Sequence, residues 1–316
     1  MTQESGLSLV ADIGGTNTRV ALAHGPQVDA DSIRRFRNAE HAGIDAVIQA
    51  YLEQCAITPT QITGVCVAAA GPVRDGVAQL TNLDWRIDRE VLGRALTADK
   101  VAVLNDLQAQ GHAIGHISAD NLNEVLPQPP HTAHAAKLVV GIGTGFNACP
   151  VFDTAAGRFV PPSEAGHVSL PASEPTLLPL LDKLDDGHGH PSVEEVLSGR
   201  GVSRLHKALH GRDAAPNEIL DAMSARDDRA LETGRLYVRM MGVVIGDLAL
   251  SHLPFGGIYL VGGVTRHFLP WLGELGLVEA FRDKGRFSGF MEQFGIAVVT
   301  DDYAALTGCA SHLSKL

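Results

Sequence analysis

Leu7-Ser8-Leu9-Val10-Ala11-Asp12-Ile13-Gly14-Gly15-Thr16-Asn17-Thr18-Arg19-Val20-Ala21-Leu22-Ala23 sets two apolar runs on either side of a polar, glycine-rich break. Apolar runs of strand length joined by Gly-Gly and small polar residues read as a β-hairpin with a tight loop. The pattern returns at Lys137-Leu138-Val139-Val140-Gly141-Ile142-Gly143-Thr144-Gly145-Phe146-Asn147, with Ala148-Cys149-Pro150-Val151-Phe152 continuing beyond the loop. Two such units suggest one α/β motif used twice, as a gene duplication would leave it.

Working outward, Val65-Cys66-Val67-Ala68-Ala69-Ala70 reads as a buried strand stopped by Gly71-Pro72, and Val101-Ala102-Val103-Leu104 as another that ends directly at Asn105-Asp106. Ile258-Tyr259-Leu260-Val261 runs into Gly262-Gly263, and Ile296 to Thr300 is a last strand before a helix from about Tyr303 to Leu313. Helical spacing of apolar residues marks Ala42 to Cys55, Glu218 to Met223 and Asp228 to His252. The segment His116 to Ala136, rich in Pro, His and Asn, reads as an exposed connection, and Asp182 to Pro191 as a polar loop. Strands mixed with helices along the whole chain predict an α/β protein.

Composition narrows the function. With 316 residues, 45% of them hydrophobic and 19% charged, the chain is long enough for about two domains with a substantial core. The net charge of −11, with no run of Lys and Arg, argues against nucleic acid as a partner. Met240 to Leu253, the most apolar helical stretch, is too short to span a bilayer and contains Asp247. No secretory signal pattern opens the chain, so a cytoplasmic location without membrane attachment is expected. The four cysteines (Cys55, Cys66, Cys149, Cys309) are scattered; Cys66 and Cys149 read as small core residues rather than disulfide partners.

The string Asp12-Ile13-Gly14-Gly15-Thr16-Asn17-Thr18-Arg19 resembles the first phosphate loop of the superfamily that joins hexokinases, actin and the chaperone ATPases. Together with Thr81-Asn82, Leu104-Asn105-Asp106, Gly143-Thr144-Gly145, Glu164-x-x-His167, Glu194-x-Val196-Leu197-Ser198-Gly199 and Val261-Gly262-Gly263, the pattern is similar to that of the bacterial glucokinases over nearly the whole chain. Ser169-Leu170-Pro171 follows the Glu/His pair with no cysteine, so the chain looks like the zinc-free branch rather than the ROK sugar kinases. The resemblance implies a two-domain actin-like ATPase (ribonuclease H-like) fold with a cleft between a small and a large α/β domain. The small domain would hold residues 1–105 plus 301–316, and the large one 106–300. It further implies glucose and ATP as substrates, Mg²⁺ as cofactor, closure on the sugar, and a homodimer.

Phosphoryl transfer asks a protein mainly for positioning and charge neutralisation. The resemblance and the residue chemistry assign the parts. Gly14 and Gly15, without Cβ, would adopt positive φ and turn N–H groups toward a phosphate, with the Thr16 hydroxyl donating as well. Asp12 would hold Mg²⁺ through water. Thr144 and Gly145 would face the β- and γ-phosphates, although Asn147 stands where the family often has a small residue. Gly262 and Gly263 would give adenosine a backbone surface. A plain glycine turn remains the other reading of each loop.

Asp106 is expected to be the general base, accepting the proton of the sugar hydroxyl. Asn105 would donate to and accept from neighbouring hydroxyls, and an Asn-Asp helix N-cap before Leu107 to Ile114 is the competing reading. Glu164, His167 and Glu194 complete the expected hexose ligands, Asn82 lies near them, and Glu195 is expected to be a solvated charge. The histidines of DGHGHP (His188, His190) and His206 and His210 read as ordinary surface or core residues without a metal. Three activities fit this set: a glucose kinase, a kinase of another hexose, and a sugar-sensing regulator that has lost catalysis. The last is disfavoured by the acidic charge and the absence of room for a helix-turn-helix before the first loop.

Overall fold

The computed structural model describes all residues except 1–5, 81–82, 172–173 and 185–188. The chain divides into two compact units, one made of Met1–Ala119, Ala156–Pro162 and Asp301–Leu316, the other of Asp120–Ala155 and Ser163–Thr300.

In the first unit, Leu7–Ile13 pairs antiparallel with Asn17–His24, placing Asp12 opposite Arg19, and parallel with Ile62–Ala69, which is parallel in turn to Lys100–Asn105. The apolar runs are unbroken because both faces of these strands are covered. Leu9, Ala11, Ile13, Val65 and Val67 face the helices Ile44–Cys55 and Arg89–Leu96. Val10, Cys66, Ala68 and Leu104 meet Ala305, Leu306, Cys309, Ala310 and Leu313 of the closing helix Ala304–Leu313. Burying a Val, Leu or Ile side chain of this kind is worth about 1.5–3 kcal/mol.

Lys100–Asn105 passes directly into the helix Asp106–Ala113. That helix stays in the first unit, so the unit boundary falls at Ala119 rather than at the expected 105. The reason is packing: the closing helix crosses it at Gly308, where a Cβ would lie 2.6 Å from the carbonyl carbon of Ala109. Residues 156–162 join the same unit, and within them Arg158 donates to the carbonyls of His112 and Ile114 at the helix end.

The second unit repeats the strand plan. Lys137–Ile142 pairs antiparallel with Phe146–Thr154 and parallel with Ile258–Val261, which is parallel to Ile296–Val299. Each unit thus has a hairpin whose first strand continues into a parallel pair, which gives the duplication reading a topological basis. The connection expected between His116 and Ala136 contains a strand, Leu122–Leu126, antiparallel to Ile296–Val299. Its half-buried, mixed Leu-Asn-Glu-Val-Leu pattern carries little of the alternation that betrays a strand.

The core of this unit gathers around the helix Asp228–His252, whose Tyr237, Met240, Met241 and Ile245 are fully buried. Gly242 of this helix admits the backbone of Leu277–Arg282, and Asp247 is paired with Lys284 at 2.7 Å. Among the described residues no helix is long and apolar enough to cross a membrane. All four cysteines are free thiols, three of them buried.

Candidate active site

The first glycine loop is held by its own backbone and by one distant asparagine. The Gly14 amide donates to the Asn17 carbonyl at 3.0 Å, and Asn38, only 2% exposed, donates from Nδ2 to the Gly14 carbonyl at 2.8 Å. The Asn38 amide nitrogen also donates to the Thr16 carbonyl, and its Oδ1 accepts from the Thr18 hydroxyl. Nothing local in Arg37-Asn38-Ala39 marks this residue in the sequence. Gly15 and Thr16 are exposed at the tip. The expected left-handed glycines are not found: Gly14 and Gly15 are absent from the positive-φ set, and a Cβ on Gly14 would touch only the Asn17 carbonyl, at 3.5 Å. The loop is a continuation of the hairpin, so its glycines serve exposure of the backbone rather than an unusual φ.

Asp12 is the next-to-last residue of the first strand and pairs with Arg19 across the hairpin at 3.2 Å. Burial pushes its carboxyl up from the ordinary value, and the Arg19 charge pulls it part of the way back. Among the described residues no cluster of three carboxylate, His or Cys side chains is placed to bind a metal. A lone carboxylate suits Mg²⁺, which retains water and is held largely by phosphate oxygens.

Asn105 and Asp106 stand where the strand turns into a helix. Asn105 is the N-cap: its Oδ1 accepts from the Leu107 amide at 2.9 Å, and its own amide donates to Gln108 Oε1 at 3.1 Å. Its Nδ2 donates to the Gly71 carbonyl at 3.0 Å and the residue is 8% exposed, so the cap uses much of the hydrogen-bonding capacity expected for a sugar. Asp106, the first helical residue, is exposed. Its Oδ1 accepts from the Leu107 amide at 2.8 Å.

In the second unit the loop Gly143-Thr144-Gly145 is closed by a bond from the Gly143 amide to the Gly145 carbonyl, with Thr144 exposed. The Gly143 carbonyl accepts from the amide of Gly199, where the helix Gly199–His210 begins. Glu194 braces the far side. Its Oε2 accepts from the Phe146 amide at 2.9 Å and its Oε1 meets Arg200 at 3.3 Å. A Cβ on Gly145 would lie 2.5 Å from Glu194 Oε2, so a side chain there would push the Glu194 carboxylate from its bond to the Phe146 amide.

Gly262 is different, since it has φ 106° and ψ 162°, and a Cβ there would lie 2.8 Å from the carbonyl carbon of Ile142. It therefore sits against the strand end that leads into the Gly143 loop, while Gly263 has open space around its Cα.

Glu164 and His167 occupy one exposed 3-10 turn, Ala165–His167, closed by the His167 amide on the Glu164 carbonyl at 3.1 Å. The turn packs on the start of the strand Phe146–Thr154, where Gly166 lies against the Phe146 backbone. Its other end is tied through Leu170 to Pro191 and through Val168 to Val193, the residue before Glu194. One histidine of the polar loop joins in, with His190 Nε2 3.3 Å from the His167 carbonyl.

Thr81, Asn82 and His188 lie outside the described residues. Glu195 corrects its expectation. It is buried and paired with Arg204, because the four-residue helix Val193–Val196 turns it toward the helix Gly199–His210. His206 and His210 are bound to Thr233 and to the Arg229 carbonyl within the helical layer.

Comparison with known proteins gives the family. The glucokinase family model matches residues 9–316. The glucokinase of Erwinia tasmaniensis is 30% identical over 317 residues, covering 98% of this chain and 97% of the relative. The crystal structure of a glucokinase from an Antarctic psychrotroph is 30% identical and superposes with a TM-score of 0.86 over 99% of this chain and 100% of that one. A ROK-family glucokinase from Streptomyces griseus, in complex with glucose and AMPPNP, shares the fold at 20% identity, with a TM-score of 0.62 over 96% and 98% of the two chains. With the match running from the first strand through the closing helix, the chain belongs to the glucokinase family.

Proposed function

We propose that the protein transfers the γ-phosphoryl group of ATP to the 6-hydroxyl of glucose, with Asp106 as general base. The observation that carries the assignment of the base is the exposed Asp106 carboxylate at the end of a parallel strand and the start of a helix. This is the edge at which α/β sheets present their ligand-binding groups.

The glucose 6-oxygen attacks the γ-phosphorus as the bond to the β–γ bridging oxygen breaks. The hydroxyl proton passes to Asp106 and ADP leaves with the electron pair. Glu164, His167 and Glu194 supply acceptors and a donor for the remaining hydroxyls; Asn105 contributes the amide N–H that its cap leaves over. Backbone N–H groups of Gly14 and Gly15, the Thr16 hydroxyl, and Thr144 with Gly145 hold the phosphates, and Gly262 and Gly263 offer the adenosine a surface free of side chains. Asp12 would hold Mg²⁺ through water, and the ion would neutralise phosphate charge. A homodimer belongs to the same proposal, and light scattering on the purified protein measures it.

The test is a hexose panel with MgATP, the phosphorylated carbon being identified by NMR, on wild type and Asp106→Ala. Wild type yields glucose 6-phosphate. The variant stays folded and loses about 10²–10⁴-fold in kcat, the usual worth of a general base. Phosphorylation of a different sugar in preference to glucose would refute the substrate, the absence of sugar-dependent ADP would leave a sensor, and full turnover by the variant would remove Asp106 from its role.

A further inference from the structure

Asn147 belongs to none of the groups that touch substrate in the mechanism above, yet its side chain lies between two of them. It is the second residue of the strand Phe146–Thr154, immediately after the Gly143 loop, and opposite Gly141 in the hairpin register. From there its amide reaches the segment that carries Glu164. Nδ2 donates to the Ser163 carbonyl at 2.5 Å, and Oδ1 accepts from the Ala165 amide at 3.0 Å and from the Ala148 amide at 2.8 Å. The two contacts flank Glu164 on either side and imitate a rung of β-ladder, with one side chain standing in for the backbone of an adjacent strand.

The rest of the frame explains why this contact matters. The turn is anchored beyond His167 by the bonds from Leu170 to Pro191 and Val193 to Val168, and by the bridge between Ser169 and Ser192. These lead directly to Glu194, which is already fastened to the Phe146 amide and Arg200. Before Glu164 the polar fastening comes from Asn147. The side chain of Glu164 makes no capping bond to its own turn, so its position follows that of its backbone.

We infer that Asn147 is a positioning residue for the hexose: it fixes the Glu164–His167 turn against the strand that follows the Gly143 loop, and thereby sets sugar affinity. The inference rests on the reading of Glu164 and His167 as hexose ligands. Truncation at this site leaves the Ser163 carbonyl and the Ala165 amide to water. Both residues are partly exposed, so water can serve them and the fold survives while the turn loosens. Misplacement of a substrate-holding group by about 1 Å costs up to about 10²-fold.

The experiment is steady-state kinetics on wild type, Asn147→Ala, Glu164→Ala and the double variant, with thermal melts of each. Asn147→Ala is expected to raise the glucose KM about tenfold or more, with the ATP KM changed by less than about twofold and the melting temperature nearly that of wild type. Because the residue acts through the turn, the same substitution in the Glu164→Ala background is expected to add much less than it does alone.

Asn147→Asp keeps the acceptor for Ala165 but sets a carboxylate oxygen against the Ser163 carbonyl, and is expected to be no better than alanine. Wild-type glucose KM in Asn147→Ala, or losses that simply add to those of Glu164→Ala, would overturn the inference while leaving the kinase reading intact. Equal losses for both substrates with a lowered melting temperature would reduce Asn147 to general stability and overturn it too. A wild-type protein inactive on every hexose would overturn the parent reading, and this one with it.

Discussion

Gly308→Ala tests how closely the position of Asp106 depends on the closing helix. At Gly308 a new Cβ would lie 2.6 Å from the carbonyl carbon of Ala109 and 3.1 Å from the amide nitrogen of Ala113. Carbon atoms in ordinary contact stand about 3.5–4.0 Å apart, and the Ala109 carbonyl oxygen lies nearer still, so the two helices must separate by at least about 1 Å. Both obstacles are backbone, and no rotamer change can remove them. Forced overpacking of this kind costs about 1–3 kcal/mol, which for a protein of this size lowers the melting temperature by about 2–10 °C.

The displaced helix is the one whose first residue is Asp106, so turnover should fall as well, by up to about 10²-fold for a 1 Å shift. Differential scanning calorimetry and kcat at saturating glucose and ATP, measured well below the melting temperature, check both halves. Gly273→Ala, where a Cβ would meet nothing within 4 Å, is the neutral control. A Gly308→Ala protein that melts and turns over like wild type would refute the argument that this crossing sets the position of Asp106.

Asp12→Asn is expected to raise stability at pH 7 while reducing activity. Burial raises the folded-state pKa of this carboxyl, so the folded state holds the proton more tightly than the unfolded one. That contribution is full below the unfolded value of about 3.9 and is lost as pH rises through the folded value. The gain in melting temperature from the amide should therefore shrink as melts are taken from pH 7 toward pH 4, and a loss at pH 7 would contradict it. Arg204→Met strands the Glu195 carboxylate, whose side chain is 11% exposed. A cost of about 2 kcal/mol is expected in urea unfolding, with most of it recovered in the Glu195→Gln/Arg204→Met double variant; no recovery would show that the arginine acts through packing alone.

Much of the fold could be read in advance because its elements advertise themselves locally. The strand runs around Leu7–Ile13 and Lys137–Ile142 are apolar on both faces, and the helix Ile44–Cys55 buries the Ile44, Val47, Ile48, Tyr51 and Leu52 that set its period. The strand-to-helix junction at Asn105-Asp106 is legible because a capping residue and a strand end coincide there. What stayed hidden depends on partners remote in sequence. Asn38 clamps a loop some twenty residues away, and Glu195 is buried only because Arg204 comes round from the next helix. Asn147 could be noticed as an unusual residue after a glycine loop, but its purpose needed the placement of Ser163 and Ala165.

The placement of the helix Ala304–Leu313 in the first unit has a consequence for biosynthesis. The strands carrying Val10, Cys66, Ala68 and Leu104 leave the ribosome long before the helix that covers them, with the entire second unit translated in between. Until then that face of the nascent sheet has only the helix Asp106–Ala113 to cover it, through Ala109, and such waiting apolar surface is where premature association begins and where a chaperone would hold the chain.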